Sequence, residues 1–477
     1  MNDDTTAKPV RLTGFAAVRW GWRFARDPLS TTSRAFDRWG PFVMLADGLP
    51  LIRSARTVML GVPLVWTAGA EFHRELLSAP EKWRGVSLLP GGPGGSAARR
   101  MSSGLTRLTG SRHAHYRKLM LPPLAKTSVQ AMAERMATLA AVETALWPIG
   151  EPIDLWDYAG RITRSFALEL LFGGDSEQTR SIASLVSRLM ERKWDWSAIA
   201  FPVNLPMAPY GQVVRLSEML ERRMLEWIAT KRGPGDNHEL ASIIVNSRDV
   251  DGNPSDDAAV VGQLASLFAA AAEAGHSAPI WTLLLLTQHP NITADLLDEL
   301  HDKLGGSSAS LGRAGDLPYL DAVVKESLRI LPPVPLQIRV ALSDTTIAGH
   351  PVPKGTRVML NSFLTNRMPE LFPQGNAFRP QRWSTIAPTM FEFPVFSGGP
   401  HSCPGFWFGS AAVKVALAAI LSRYKVELRA DARIDYRVQP TFRPRLGVPV
   451  VLRRRDGHKS AARPVTGNIR NLVDFPQ

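Results

Sequence analysis

The sequence is poor in cysteine: Cys403 is the single one among 477 residues. One thiol excludes an intramolecular disulfide and any zinc or iron–sulfur site built from several cysteines. A run of about 18 uncharged apolar residues, as a transmembrane helix needs, is also missing. Residues 1–12 lack the apolar stretch of a secretory signal. We therefore expect a cytoplasmic protein without a transmembrane span.

Acidic residues are fewer than basic ones: the chain has 43 Asp and Glu and 56 Lys and Arg, which gives a net charge of +13. The basic residues are spread along the chain and accompany no nucleic-acid-binding motif, so nucleic acid is not an expected partner. The charge fits a well-mixed basic surface or a face for an acidic protein or lipid head groups. Residues 15–27, which mix aromatics with arginines, are typical of a surface helix packed on the body or lying on a membrane.

Helical periodicity predominates between residues 125 and 335, and short strand patterns flank it. The pattern predicts helices at 127–147, 157–173, 179–195, 212–232, 258–288, 292–304, 316–331 and 406–424. Strands are expected within 40–68, 332–382 and 425–453. Residues 88–111 are rich in Gly, Pro, Ser and Arg and predict a long mobile loop. Together these elements indicate an α+β fold that is mostly α-helical.

The cysteine lies in the stretch FSGGPHSCPG, residues 396–405, just before a predicted apolar helix. A reactive or metal-binding thiolate is stabilised by backbone N–H groups and by a helix N-terminus. Gly398 and Gly399, followed by Pro400, can fold tightly enough to aim N–H groups at the sulfur. A buried structural cysteine would need no such loop, so the pattern favours a functional thiolate.

The loop resembles the haem-binding loop of the cytochrome P450 family, Phe-x-x-Gly-x-Arg-x-Cys-x-Gly. Phe396, Gly399, Cys403 and Gly405 match this pattern, and His401 takes the arginine position. The resemblance implies that Cys403 ligates the iron of haem b (iron protoporphyrin IX), which is held between a large helical region and a small β-rich region.

Two further motifs support the resemblance. Glu326 and Arg329 in KESLRI form the family's Glu-x-x-Arg pair, and their i, i+3 spacing places them on one helix face. FRPQRW supplies Arg382, the family's third member of a buried network. The resemblance covers roughly 35–453, which we assign as the haem-thiolate catalytic domain. Residues 1–34 would form an N-terminal arm and 454–477 a basic, loosely packed tail.

Haem carries two propionates that need cationic or hydrogen-bonding partners. The resemblance assigns this role to His113 and Arg117, which lie one helical turn apart in RHAHYRKL, to Arg339 in LQIRVA, and to His401. Histidine is shorter than arginine and often neutral, so His401 would hold a propionate more weakly than an arginine would.

The long helix that crosses the haem in this family usually carries an Ala/Gly-Gly-x-Asp/Glu-Thr signature. In this sequence the candidate is the segment 267–290. The TQHP at the end of this segment and the distance along the chain to the Glu-x-x-Arg pair both place Glu273 at the acid position. Ala270 and Ala271 then hold the small-residue positions, and Ala274 takes the place of the threonine.

A second register pairs Gly275 and His276 with the family's Gly-His and puts Ser277 at the acid position. It places Ala278 at the threonine position, so both registers lack the usual hydroxyl. Pro279 has no N–H and leaves a helical carbonyl without its partner, so we expect the helix to kink or open there. Such a kink would shape either the site where oxygen binds or only the packing of the helix.

Three chemistries remain open for such a site. In the first, protons are delivered by a route that differs from the family's usual one and runs through Glu273, His276, Ser277, water or the substrate. The i+3 and i+4 spacings allow the three side chains to share a face. Alternatively, the enzyme uses peroxide or rearranges its substrate without O₂. In the third, it abstracts hydrogen and then couples or desaturates. A different class of function is a non-catalytic haem sensor or carrier, against which the acid at Glu273 and the small residues beside it argue.

Substrate and partners follow from the resemblance and the composition. The alanines 269–272 and apolar walls suggest a lipophilic or aromatic small molecule, oxidised in secondary metabolism. Arg99 and Arg100 in the long loop could meet an acidic group, although a solvated pair fits them as well. No flavin or nicotinamide motif is present, so we expect a separate electron donor, a ferredoxin or flavodoxin with its reductase. Basic residues such as Arg117 and Lys118 would attract it.

Overall fold

The computed structural model describes residues 10–45, 63–85, 92–193, 195, 197–198, 203–233, 239–305, 308–439, 441–455 and 462–476. The described part is mostly helical, with small sheets, as the sequence predicts.

The helices are α1 (Gly14–Arg26), α2 (Pro28–Trp39), α3 (Ala70–Leu77), α4 (Ala97–Arg100), α5 (Gly110–Leu124), α6 (Lys126–Ala145), α7 (Leu155–Phe172), α8 (Glu177–Lys193), α9 (Pro209–Lys231), α10 (Leu240–Val245), α11 (Asp257–Gln288), α12 (Pro290–Leu304), α13 (Pro318–Ile330), α14 (Ser362–Thr365) and α15 (Phe406–Arg423). The eight helices predicted from periodicity are confirmed, each with ends within three residues of the expected ones.

The strands are β1 (Val10–Leu12), β2 (Phe42–Leu45), β3 (Leu64–Thr67), β4 (Trp83–Gly85), β5 (Pro152–Asp154), β6 (Leu336–Ala341), β7 (Thr345–Ile347), β8 (His350–Val352), β9 (Arg357–Asn361), β10 (Tyr424–Leu428), β11 (Tyr436–Gln439), β12 (Thr441–Pro444) and β13 (Pro449–Arg454). One sheet has the order β1-β2-β3-β9-β6-β4, and another has β10-β13-β5. Two antiparallel pairs, β7-β8 and β11-β12, complete the sheets. Strands therefore lie in all three regions where the sequence predicts them.

The long helix α11 is the centre of the helical region and packs against α7, α13 and α15. Asp256 caps its N-terminus by accepting a hydrogen bond from the backbone N–H of Ala259 at 2.6 Å. Its C-terminal half is buried on every side, including the run Leu283–Leu286, and each buried leucine contributes about 1.5–3 kcal/mol. By length and hydropathy, α11 and α15 could both cross a membrane, but both contribute buried side chains to the core of the protein.

Pro279 lies inside α11, which remains helical from Asp257 to Gln288. The expectation that the helix opens at this proline is therefore wrong at the level of secondary structure. The proline is buried, and on its C-terminal side the Thr282 hydroxyl donates a hydrogen bond to the carbonyl oxygen of Ala278. Packing on all sides holds the helix together across the missing N–H.

Two segments are more ordered than the sequence predicts. Within the expected loop 88–111, the structure has α4 and a 3₁₀ turn at Leu105–Arg107, which pack against the rest of the protein. Gly104 lets this segment approach α11. A Cβ at Gly104 would lie 2.2 Å from Cβ of Ser266. Residues 88–91 lie outside the described residues. The prediction of a loosely packed tail is also wrong for 462–476, because four of its apolar side chains are buried: Val465, Ile469, Leu472 and Val473.

The amphipathic segment predicted at 15–27 forms α1, packed on the body as a surface helix. Its buried side includes Trp20 and Phe24, and the Phe24 ring stacks on Trp66 of β3 with centroids 5.2 Å apart. Its outer side carries Phe15 and Trp22, which are 82% and 64% exposed. Membrane contact by this outer side remains a hypothesis.

Candidate active site

The cysteine loop is held by backbone contacts at the N-terminus of α15. The N–H of Cys403 donates a hydrogen bond of 2.8 Å to the carbonyl oxygen of Phe396. Gly399 has φ +62°, and a Cβ there would lie 2.2 Å from the carbonyl oxygen of Leu77 in α3. Only glycine satisfies both conditions, so the loop can pack against α3 because of the residue type at position 399.

The thiol of Cys403 is free and Cys403 is exposed to solvent. Burial raises the pKa of Cys403, whereas the backbone N–H of Gly405 and the charge of Arg117 oppose that increase. A bound metal ion would favour the thiolate further, since metals take the deprotonated form of cysteine. The loop therefore presents one thiol, and its role as an iron ligand stays a prediction.

Arg117 on α5 is bound to the cysteine loop itself. Its Nη1 donates a hydrogen bond of 2.7 Å to the carbonyl oxygen of Ser402, and its Nη2 donates one of 3.0 Å to the Ser402 hydroxyl. The residue predicted as a propionate partner thus also fixes the residue that precedes Cys403.

The other three predicted propionate partners form a basic cluster near the same loop. The rings of His113 and His401 lie 4.0 Å apart. Burial, together with His113, Arg339 and Arg117, lowers the pKa of His401 to about 4, and burial lowers the pKa of Arg339 to about 10. Burial and Arg117 also lower the pKa of His113. No carboxylate among the described residues offsets these shifts.

This donor set fits haem. One sulfur ligand lies beside two arginines and two histidines, and no carboxylate among the described residues pairs with the two guanidinium groups. A dianionic porphyrin edge would supply the missing negative charge. His113, Arg117, Arg339 and His401 would hold that edge, and Cys403 would hold the iron.

The predicted network around Glu326 is present and buried. Glu326 and Arg329 are both fully buried and make a bidentate pair, with N–O distances of 2.9 and 2.8 Å. Arg382 adds a hydrogen bond of 2.9 Å to the same carboxylate. The indole N–H of Trp383 donates another at 3.0 Å, a contact that the motif alone did not predict.

Arg329 connects this network to the segment that precedes the cysteine loop. It donates hydrogen bonds to the carbonyl oxygens of Asn366, Gly375 and Ala377, at 2.8, 2.7 and 3.2 Å. A second, half-buried arginine, Arg367, donates a hydrogen bond of 2.6 Å to the carbonyl oxygen of Ile330. Buried ionic groups are stable only when each of them is paired. These hydrogen bonds therefore fix the backbone of residues 366–377, which precede the cysteine loop in the chain.

On α11, Glu273 points toward the β11–β12 hairpin. Burial raises the pKa of Glu273, and Arg443 and the Thr441 hydroxyl on β12 oppose this shift, whereas Glu191 on α8 adds to it. Arg443 is 8% exposed, and its Nε has no hydrogen-bond partner. Arg443 and Glu191 line a cavity of about 610 Å³ that also reaches Trp156. These neighbours of Glu273 come from distant segments and were not predicted.

His276 and Ser277 are engaged by the protein. The Nε2 of His276 lies 2.6 Å from the carbonyl oxygen of Trp156, and the two rings stack with centroids 3.9 Å apart. Burial lowers the pKa of His276 to about 4, so the imidazole is neutral at pH 7. Ser277 is fully buried and donates to the carbonyl oxygen of Ala274. The shared face expected for Glu273, His276 and Ser277 shows no hydrogen bond from Glu273 to either partner among the described residues.

The region of α11 around the predicted signature is less buried than the rest of the helix. Ala270 is exposed and Ala274 is half-buried, whereas the residues from Ser277 to Leu286 are buried again. Small side chains therefore face open space at the point where the family signature would lie.

A sequence profile of the cytochrome P450 family matches residues 68–443. The chain belongs to the cytochrome P450 family. This P450 is therefore an oxidoreductase with a haem cofactor. It is 35% identical over 243 residues to cytochrome P450 monooxygenase sphH of Aspergillus fumigatus, which is 48% of this chain but only 44% of the fungal protein. It is 26% identical over 361 residues to putative cytochrome P450 136 of Mycobacterium tuberculosis, 74% of this chain and 73% of that protein.

Solved structures agree on the fold. Retinoic acid-bound cyanobacterial CYP120A1 matches with a TM-score of 0.76 at 21% identity, and the match covers 90% of this chain and 95% of that one. The fold expected from Cys403, Glu326, Arg329 and Arg382 is thereby confirmed.

Proposed function

We propose that this P450 is a cytoplasmic monooxygenase that inserts oxygen from O₂ into a lipophilic or aromatic small molecule of secondary metabolism. The observation that carries the proposal is Cys403, a solvent-accessible thiol in a glycine-dependent loop beside two arginines and two histidines, with no carboxylate paired to them in the described part of the chain. Haem b held there would supply a redox-active iron whose reactivity toward O₂ the thiolate increases.

Glu273 is the residue that we assign to proton handling. Its raised pKa keeps a proton on the carboxyl to higher pH than an exposed glutamate would, as a general acid near neutral pH requires. Arg443 and Glu191 act electrostatically on this carboxyl and line the cavity of about 610 Å³, whose solvent we assign as the source of protons for Glu273. His276 is neutral and held by α7, so its role in this proposal is to position α11.

The electron donor would bind on the side of the cysteine loop. Phe406 and Trp407, just after Gly405, are 38% and 43% exposed, and the Lys126 ammonium lies 5.4 Å from the Trp407 ring centroid. Lys118 on α5 is also exposed. Exposed aromatics with basic neighbours suit an acidic ferredoxin or flavodoxin, reduced by its own reductase.

A second candidate function is favoured by Ala274, which offers no hydroxyl where the family usually has one. Peroxide-driven oxidation, oxidative coupling or an O₂-independent rearrangement would place fewer demands on proton delivery. In that case the chain would convert substrate with hydrogen peroxide or without O₂, and electrons from a reduced ferredoxin would not raise the yield.

The test is turnover of the haem-loaded protein with a ferredoxin system, scored as product formed per electron consumed. We expect wild type to form product from O₂, and Glu273→Gln to lose about 100-fold in rate, the usual size of a general-acid effect. The matched control is Glu226→Gln, an exposed glutamate in α9 that pairs with Arg223. Equal rates in Glu273→Gln and wild type would contradict the role of this carboxyl, and turnover by peroxide alone would support the second candidate.

A further inference from the structure

Lys193, the last residue of α8, is a buried lysine with 5% of its surface exposed. Its ammonium donates a hydrogen bond of 3.4 Å to the hydroxyl of Ser102, which in turn donates one of 2.8 Å to the carbonyl oxygen of Ala98. The ammonium group has three donors, and a hydroxyl is a weak partner for a full charge. The protein thus buries this cation and pairs it with a neutral group.

Arg107 brings a second cation to the same residue. Its Nη1 donates a hydrogen bond of 3.2 Å to the carbonyl oxygen of Ser102, so Lys193 and Arg107 both contact Ser102. Burial, followed by the charge of Arg107, lowers the pKa of Lys193 to about 8. Burial also lowers the pKa of Arg107, together with Arg99 and Arg84. Both groups therefore lack a compensating negative charge within the described residues.

The nearby carboxylates already accept hydrogen bonds from other groups. Glu221 accepts two hydrogen bonds from Arg100, at 2.5 and 2.6 Å, so Arg100 is paired with the protein and the expectation of a solvated side chain is wrong for this residue. Asp195, two residues beyond Lys193, accepts hydrogen bonds from the N–H and hydroxyl of Ser197, at 2.9 and 2.5 Å. A buried cation left over after such pairing destabilises the fold and persists where a ligand supplies the counter-charge.

The two cations lie beside the helix that carries the candidate catalytic residues. The segment with Ser102 and Arg107 packs on α11 at Gly104, whose Cβ position is 2.2 Å from Cβ of Ser266. Ser266 precedes Ala270 by four residues, about one helical turn. α8, which ends at Lys193, also packs on α11.

We infer that Lys193 and Arg107 bind the carboxylate of the substrate, so that this P450 acts on lipophilic carboxylic acids. The inference rests on the proposed function and narrows its substrate class. A carboxylate entering between α8 and the segment 97–107 would complete the charge pairing that the protein leaves open, and its apolar part would extend along the small residues of α11.

The experiment measures how ligands shift the haem spin state of the purified ferric protein. The probes are dodecanoic, hexadecanoic and 4-phenylbutanoic acids, each compared with its methyl ester. We expect at least one acid to bind tenfold or more tightly than its ester in wild type. In Lys193→Met, which keeps the length of the side chain and removes the charge, the ratio falls to about one. Lys303→Met, at an exposed site in α12, keeps the wild-type ratio.

Equal affinity for acid and ester, no shift with any of the three acids, or a preference that survives in Lys193→Met would overturn the inference. Thermal unfolding without ligand gives a second readout. Lys193→Met should unfold at the wild-type temperature or above it, because the buried charge is removed. A clearly lower temperature would show that Lys193 already has a counter-charge, and would also overturn the inference.

The result can be separated from failure of the proposed function. A protein that does not take up haem with thiolate ligation overturns that function itself. Normal thiolate ligation with no preference for acids overturns the substrate class alone.

Discussion

Arg117 and Ser402 are joined by two hydrogen bonds, of 2.7 and 3.0 Å, directly next to Cys403 in the chain. The guanidinium on α5 therefore holds the cysteine loop in place, and its charge opposes the rise in the pKa of the thiol that burial causes. Positive charge near a thiolate and a fixed loop are the two conditions that a sulfur ligand needs.

Replacing Arg117 by Gln should raise the pH below which thiolate ligation is lost, because the neighbouring charge that favours the thiolate disappears. The measurement is the Soret band of the reduced carbonyl complex as a function of pH, which reports whether the sulfur is thiolate or thiol. Arg112→Gln, on the exposed side of α5, is the control and should not move the transition. An unchanged transition in Arg117→Gln would contradict the role of this contact.

Glu326→Ala should destabilise the protein by about 3–5 kcal/mol, because Arg329 would remain fully buried without its counter-charge. Equilibrium unfolding in urea measures the change. Lys325→Ala is the control on the same helix. Its salt bridge to Asp321 is exposed, so the expected loss is below about 1 kcal/mol. Similar losses for the two variants would show that the buried network does not contribute as described.

Ala274→Thr should leave haem binding intact and change the coupling of electrons to product. A threonine there would restore the hydroxyl that the family usually places on this helix, and Ala274 is only half-buried, so the side chain has room. The readouts are product formed and hydrogen peroxide released per electron. If both remain at wild-type values, position 274 does not lie where the register from Glu273 puts it.

Product yield per electron should fall as the pH rises through the pKa of Glu273. That pKa is raised by burial, so the protonated carboxyl that donates is present below it and is lost above it. The decline should therefore lie at higher pH than the ordinary glutamate range. Glu273→Gln should show a low yield with no such decline, and a decline that persists in this variant would assign it to another group.

His73 on α3 should make the fold sensitive to acid. Burial lowers its pKa to about 3, so between pH 6.5 and 3 the unfolded chain binds a proton that the folded state does not. Stability is therefore lost as the pH falls through this window, with His73 contributing at most about 1.4 kcal/mol per pH unit. In His73→Gln, unfolding temperatures should depend less on pH between 6.5 and 4. An identical dependence would show that other groups set the acid limit.

Local signals in the sequence account for the helices and for the motif residues. The length of α11 follows from its periodicity and from the Asp256 cap, and the pairing of Glu326 with Arg329 follows from i, i+3 spacing. The apolar pattern of Ile469, Leu472 and Val473 could also have predicted the packed tail, because three such residues within five positions form one face.

Contacts between distant segments could not be predicted in this way. Arg443 belongs to a hairpin far along the chain from Glu273, and no local pattern connects them. Lys193 looks like an ordinary basic residue at a helix C-terminus, a favourable position for exposed lysines. Its burial and its contact with Ser102, 91 residues away in the chain, arise only in the folded protein.

The central claim is that Cys403 is the single protein ligand of a haem iron in this fold. The most direct measurement is the absorption spectrum of the reduced carbonyl complex of wild type and Cys403→Ser, after equal loading with haem. We expect the long-wavelength Soret band of thiolate ligation in wild type and its complete loss in Cys403→Ser, with haem still bound through the basic cluster. A thiolate-type band that persists in Cys403→Ser, or that is missing in wild type, would contradict it.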